Sequence, residues 1–194
     1  MADTTDNPGP TRDRLLAAVR AAVLEHPLAE LTPSEVARRA GVHRVTFYRH
    51  WPDLDAATLD AFTEELDRLS AVDDDTVAGR TDPAGLAQVY DGTLEGALTT
   101  ILRERAAYRR LFAWPAFAER ARTALRARAQ RMVDTLTAAG HDVPGADGVA
   151  ADVLAGASAA ALAGWAASDD DDVVRRRDEI VAQLPSWWPR AGTR

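Results

Sequence analysis

The sequence predicts an all-α protein: an N-terminal three-helix helix-turn-helix domain and a larger C-terminal helical bundle, about nine helices in total. Three observations carry this reading. Apolar residues recur at three- and four-residue spacing along most of the chain. Pro, Gly and polar caps interrupt that pattern where helices would need to begin and end. No alternating run is long enough to build a sheet.

Residues 1–10 read as a disordered arm. Leu15, Leu16, Val19 and Val23 mark a first helix, with Thr11 as its N-cap and Pro27 beyond its end. In LTPSEVARRAG, Thr32 as N-cap, Pro33 at the first helical position and Glu35 three residues on form a capping box. Gly41 closes this second helix, because glycine accepts the left-handed backbone of a C-terminal cap. A third helix runs through RVTFYRHW, with Phe47 and Trp51 one turn apart; Pro52 ends it and Asp53 caps the next.

Leu59, Phe62, Leu66 and Leu69 mark a fourth helix, ended by the acidic run AVDDDT. Leu86, Tyr90, Leu94, Leu98 and Ile101 mark a fifth, and RERAAYRRLF a sixth. Pro115 starts a seventh, carrying Phe117, Leu125, Met132 and Leu136 and stopping at Gly140. An eighth covers Val149 to Ala167 and a ninth Val173 to Leu184. The expected organisation is a helix-turn-helix domain over 11–52, a ligand-binding and dimerisation domain over 53–186 and a tail over 187–194.

With 194 residues, 46% of them hydrophobic, the chain can bury a real core. It has no cysteine, which excludes a disulfide framework, a thiolate zinc site and a cysteine nucleophile. MADTTDNPGPTRDR does not resemble a signal peptide, and no apolar run is expected to reach the roughly 18 residues a membrane span needs. A soluble, cytoplasmic protein with no membrane partner is expected.

All 23 basic residues are arginine and the net charge is −7. That average conceals a polarity. Thr32 to Trp51 holds Arg38, Arg39, Arg44 and Arg49 against Glu35 alone, whereas Asp53 to Leu102 holds Arg68 and Arg80 against twelve acids. Binding to nucleic acid depends on the local field, so the basic segment remains a candidate reader.

Two short helices joined at a glycine and packed on a first helix form a helix-turn-helix, whose second helix enters the major groove of DNA. Val36, Ala37, Ala40, Val42, Phe47 and Trp51 form the apolar set that fixes the pair. His43, Arg44, Val45, Thr46, Tyr48, Arg49 and His50 are left facing outward. Arg44 has the planar fork that matches guanine O6 and N7, and Val45 and Thr46 can touch a thymine methyl. Tyr48 and His50 have the length and donors for phosphate oxygens.

The segment LTPSEVARRAGVHRVTFYRHWPDLDAATL resembles the DNA-binding segment of TetR-family transcriptional regulators. The matching features are the capped helix ending in Ala-Gly-Val, the basic residue after the next cap, and the aromatic–tyrosine–basic–His–aromatic run before a Pro turn. The match covers about Thr32 to Leu59, and the remainder resembles the family only in helix count, spacing and length. The resemblance implies a homodimer of all-α protomers that binds a palindromic operator in double-stranded DNA and represses transcription. A small molecule in the C-terminal domain would move the two reading heads apart. It implies a DNA-facing set of Thr32, His43, Arg44, Val45, Thr46, Tyr48, Arg49 and His50, with Arg44 and Val45 toward bases.

Four positions depart from the family pattern. His43 stands where Ser or Thr caps the recognition helix. Val45 replaces a small residue. Trp51 replaces Phe. Leu54 replaces a lysine beside a phosphate, which removes about one counterion from the salt dependence of binding.

In the C-terminal part, AGASAAALAGWAA carries no charge on any face, and a helix apolar all round is expected to be buried on all sides. A core helix is one reading. The other is a subunit interface, the eighth and ninth helices pairing with their twins through Val153, Ala157, Ala160, Ala161, Gly164, Ile180 and Leu184. Tyr90, Leu94, Tyr108, Trp114, Phe117, Met132 and Trp165 are candidates to line an effector pocket for an apolar or aromatic small molecule, although the same spacing serves a plain core.

No catalytic residue, metal ligand or cofactor motif is assigned. The runs Asp73–Asp75 and Asp169–Asp172 raise a metal-dependent helical enzyme as a rival, but both fall between predicted helices, where acidic runs are solvated loops. The alternative to a DNA reader is a helical interaction or ligand-binding module whose helix-turn-helix no longer binds DNA.

Overall fold

The computed structural model describes residues 8–70 and 83–190, which contain nine α-helices and no strand. Residues 1–7 of the expected arm, the run Asp73–Asp75 and the last four residues lie outside this set. The chain divides at Glu65 into two compact units.

The first unit holds α1 (Pro8–Glu25), α2 (Pro33–Arg39), α3 (Arg44–His50) and the first part of α4 (Leu54–Ser70). α1 starts at Pro8, earlier than the Thr11 cap expected from sequence. Proline is tolerated in a first turn, where backbone N–H groups have no helical partner. Thr11 is instead buried inside the helix, and its hydroxyl accepts from Arg14 at 3.3 Å.

The start of α2 forms as its sequence dictates. The Thr32 hydroxyl accepts the Glu35 N–H at 3.2 Å, while the Glu35 carboxylate turns to Arg39 one turn on. At the other end Gly41 adopts φ +67°. The Val42 N–H then reaches the Ala37 carbonyl at 3.0 Å and the Gly41 N–H reaches Arg38 at 3.2 Å, the paired bonds of a Schellman cap. Asp53 caps α4 by accepting the Ala56 N–H at 2.8 Å. Leu15, Val19, Ala22, Val36, Phe47, Ala57 and Phe62 are fully buried and form the centre of this unit.

The second unit holds α5 (Pro83–Arg103), α6 (Arg105–Phe112), α7 (Pro115–Ala138), α8 (Val149–Ala167) and α9 (Val173–Ala182). α8 packs most extensively on α7 and also meets α5 and α6, while α9 lies on α5. Gly140, at φ +87°, ends α7 with the same paired bonds, His141 N–H to Leu136 at 3.0 Å and Gly140 N–H to Thr137 at 2.9 Å. Trp165 of α8 is fully buried and its indole N–H donates to the Leu98 carbonyl at 2.9 Å, fixing α8 to α5. Arg109 of α6 donates to the Ala166 carbonyl at 3.2 Å and the Ala167 carbonyl at 3.1 Å, satisfying acceptors that the end of α8 leaves open.

Two expectations about α8 are corrected. The helix is not buried on all sides: Ala150, Ala151, Leu154, Ala155, Leu162, Trp165 and Ala166 are buried, while Val149, Val153, Gly156, Ala157, Ala160 and Gly164 are exposed. Its 19 residues are also long and apolar enough to cross a membrane by length and composition, contrary to the expectation that no run reaches that length. Asp152 and Ser158 obscure this in a reading for uninterrupted apolar residues. One side of the helix packs on its own chain, a role of core helices that pass the same test.

The C-terminal residues differ as well. Trp187 and Trp188, placed in the tail by sequence, return to the second unit; Trp188 is 3% exposed within a cluster of Leu86, Met132, Val133 and Leu136.

Candidate nucleic-acid interface and effector cavity

α3 is anchored by its aromatic residues. Phe47 is fully buried, and the Trp51 ring centroid lies 5.7 Å from it. The Trp51 indole N–H donates to Asp60 of α4 at 2.8 Å, and Arg12 of α1 lies over the same indole, 5.6 Å from its centroid. A phenylalanine could not make the Asp60 bond, so Trp51 is more than a larger anchor.

The opposite face of α3 is open. His43, Arg44, Val45, Tyr48 and Arg49 are exposed, Val45 by 68%, while Thr46 and His50 are half-buried. Thr32 is exposed at the start of α2. Arg44 extends along Tyr48, donating to its hydroxyl at 3.0 Å with its guanidinium carbon 5.2 Å from the ring centroid. His43 makes no side-chain cap bond, in line with its replacement of a hydroxyl.

The positive charge is not uniformly available. Arg39 pairs with Glu25 at 2.6 Å and Glu35 at 3.0 Å, contacts that raise its pKa and lower that of Glu25. Arg38 and Arg49 make no ion pair among the described residues. Leu54 is 7% exposed and packs inward, so α4 begins with a core contact instead of a surface charge.

The second unit contains a cavity of about 640 Å³, its open mouth included. α5 contributes Tyr90, Thr93, Leu94 and Ala97. α7 contributes Leu125, Arg128, Ala129 and Met132. Leu154, Ser158 and Leu162 come from α8, and Trp188, beyond the last helix, completes the lining. Of the seven candidate lining residues, Tyr90, Leu94 and Met132 are at this wall. Tyr108, Phe117 and Trp165 are fully buried away from it, and Trp114 is a half-buried N-cap residue of α7. Spacing alone does not separate these two groups, since core and cavity wall share the helical period.

No family model matches the chain. An uncharacterized HTH-type transcriptional regulator of Mycobacterium tuberculosis is 40% identical over 53 residues, which is 27% of this chain and 28% of the relative. A Mycobacterium bovis regulator of the same description matches equally. The chain therefore matches these relatives over little more than a quarter of their length. Solved structures match over far more. Thermus thermophilus FadR, described as a TetR-family transcriptional repressor in complex with lauroyl-CoA, superposes with a TM-score of 0.65 at 20% identity, covering 89% of this chain and 92% of that one. RolR in complex with resorcinol gives 0.62 at 19% identity, over 92% and 97%. FadR of Bacillus halodurans, a fatty acid degradation regulator, gives 0.64 at 14% identity, over 89% and 96%.

The chain has the fold of the TetR-family regulators. Within that fold, α2 and α3 form the helix-turn-helix, and the cavity lies among α5, α7 and α8. The candidate interface residues separate by position. Val153, Ala157, Ala160 and Gly164 lie on one exposed stripe of α8, while Ala161 and Ile180 are half-buried. Leu184 packs against the cluster around Trp188.

Nine of the twelve wall residues of the TetR-fold cavity fall outside the candidates read from sequence, among them Arg128 and Trp188. Arg128 sits among Arg120, Arg122, Arg126 and Arg131, where nothing in the pattern distinguishes an inward arginine. Trp188 follows the last helix, where no periodicity applies. The Asp169–Asp172 run is explained by local structure: Asp170 pairs with Arg175 and Arg176, and Asp172 caps α9 by accepting the Arg175 N–H at 3.0 Å. Among the described residues no group of acidic or histidine side chains could hold a metal ion.

Proposed function

We propose that this protein is a TetR-family transcriptional regulator, a homodimer that binds a palindromic operator in double-stranded DNA and responds to a small-molecule effector, acting as a repressor. The observation that carries the reading is the outer face of α3. Arg44, Val45, Tyr48 and Arg49 project from a helix whose inner face is fixed by buried Phe47 and by the bond from Trp51 to Asp60. A rigid support with exposed long donors is the arrangement that major-groove reading requires. Arg44 and Val45 would face bases; Thr32, His43, Thr46, Tyr48, Arg49 and His50 would face phosphate or the groove edge.

Dimerisation is supported by the exposed apolar stripe of α8. Val149 and Val153 stand 62% and 59% exposed, continued by Ala157, Ala160 and Gly164, small residues that permit close approach of a second helix. A two-fold pairing there would give the symmetry of a palindromic site. Effector binding is supported by the mostly apolar cavity, the kind of site that small molecules occupy. The structural neighbours with lauroyl-CoA and resorcinol set a precedent for ligands in this fold.

The test is selection from a pool of random duplexes by the purified protein. Enrichment of a palindrome, weakened and relaxed at one base position by Arg44→Ala, is the expected result. Failure of a folded protein to enrich any sequence at low salt would favour the alternative of a ligand-binding module whose helix-turn-helix is silent.

A further inference from the structure

The wall of the cavity carries a single charged residue, Arg128. Its Nη2 is shielded from solvent and has no hydrogen-bond partner among the described residues. Its guanidinium carbon lies 5.9 Å from the Tyr90 ring centroid, a cation–π contact that stabilises the charge without satisfying an N–H. Burial, and then the like charge of Arg131, press its pKa down against a partial offset from Tyr90. A guanidinium nevertheless stays protonated in a folded protein.

A second wall residue carries an orphaned donor. The indole Nε1 of Trp188 is also buried without a partner, while the Tyr90 hydroxyl is bonded to Ser158. Guanidinium and indole groups can only donate. Burying such donors without an acceptor is unfavourable, most of all for a charged one. The group complementary to both is therefore an acceptor, and beside an uncompensated cation it is an anion. One guanidinium balances one negative charge, which matches a carboxylate better than a dianionic phosphate ester.

We propose that the cavity binds an amphipathic carboxylate, its head paired with Arg128 and its apolar body lying along Leu94, Met132 and Leu154. The proposal rests on the effector reading above, which by itself requires only that some ligand enter the cavity.

Isothermal titration of the full-length protein tests it, with octanoate and 2-naphthoate as carboxylate probes and 1-octanol and 2-naphthol as neutral counterparts. The expected result is that at least one carboxylate binds and outcompetes its alcohol, and the better of the two shows whether the body is a chain or a ring. Arg128→Gln should weaken that carboxylate by about ten- to a hundredfold while leaving alcohol binding unchanged. Arg128→Lys should retain part of the affinity, and Arg131→Gln nearly all of it. Alcohols binding as tightly as acids to the unmodified protein would overturn the proposal and leave the effector reading standing; this comparison needs no variant. Full carboxylate affinity in a folded Arg128→Gln protein would do the same. If neither acids nor alcohols bind, the cavity is not a ligand site and both readings fall.

Discussion

Arg44 donates to the Tyr48 hydroxyl at 3.0 Å and lies over its ring, so the two exposed side chains of α3 best suited to DNA are held by each other. The contact fixes the direction of the Arg44 fork without any buried support. Arg44→Ala should weaken binding to the preferred operator by about 1–3 kcal/mol and relax one base position. Tyr48→Phe should weaken all duplexes about equally, as expected of a phosphate contact; a selective loss would mean that the Tyr48 hydroxyl acts by aiming Arg44. A double-mutant cycle in gel-shift titrations measures the coupling between them. Sequence preference unchanged in Arg44→Ala would refute base contact.

The Trp51 bond to Asp60 ties the end of α3 to α4. Trp51→Phe keeps the aromatic anchor but loses that bond, so urea unfolding should show a loss of about 1 kcal/mol. The selected DNA sequence should not change. An altered sequence preference would mean that Trp51 sets the angle at which α3 meets the groove.

Ala160 is exposed on α8, so a charge there costs the protomer little. Ala160→Glu should yield monomers with unchanged helicity if this stripe is the two-fold interface. Light scattering that still reports a dimer would move the interface elsewhere.

Acid should release the loop before α9. The Asp172 backbone N–H, with Arg175 and Arg176, holds the Asp170 carboxyl below its ordinary pKa of 3.8. A carboxylate with a depressed folded pKa stabilises the protein above its unfolded value and loses that contribution as pH falls through the folded one. The Tm difference between the unmodified protein and Asp170→Asn should therefore be constant near neutrality and close as pH drops below about 3.8. A difference independent of pH would show that the charge of Asp170 is irrelevant to this loop.

Much of the fold was legible because its signals are local. Thr32, Gly41, Asp53, Pro115 and Gly140 each act on backbone within a few residues, and each does in the structure what its chemistry dictates. The start of α1 was misplaced because Pro8 and Pro10 suit a first helical turn as well as an arm. The outer face of α3 was legible for the same reason as the caps: once Phe47 and Trp51 are buried, Arg44, Val45, Tyr48 and Arg49 of a two-turn helix are left facing outward, whereas Thr46 and His50, expected with them, are half-buried at its flank.

The sequence by itself determined the helices, their caps and the separation of a basic helix-turn-helix segment from an acidic stretch after it, because charge and backbone preference are properties of short segments. Only the tertiary structure decided which apolar residues border space and which border each other. Tyr90 and Tyr108 each have a large apolar residue one turn on, Leu94 and Phe112, yet one lines the cavity and the other is sealed in the core. It also decided that one arginine of five on α7 enters the cavity wall, and that a tryptophan beyond the last helix joins it there. Both outcomes depend on how α5, α7 and α8 meet, and the packing of distant segments leaves no period in the sequence to be read.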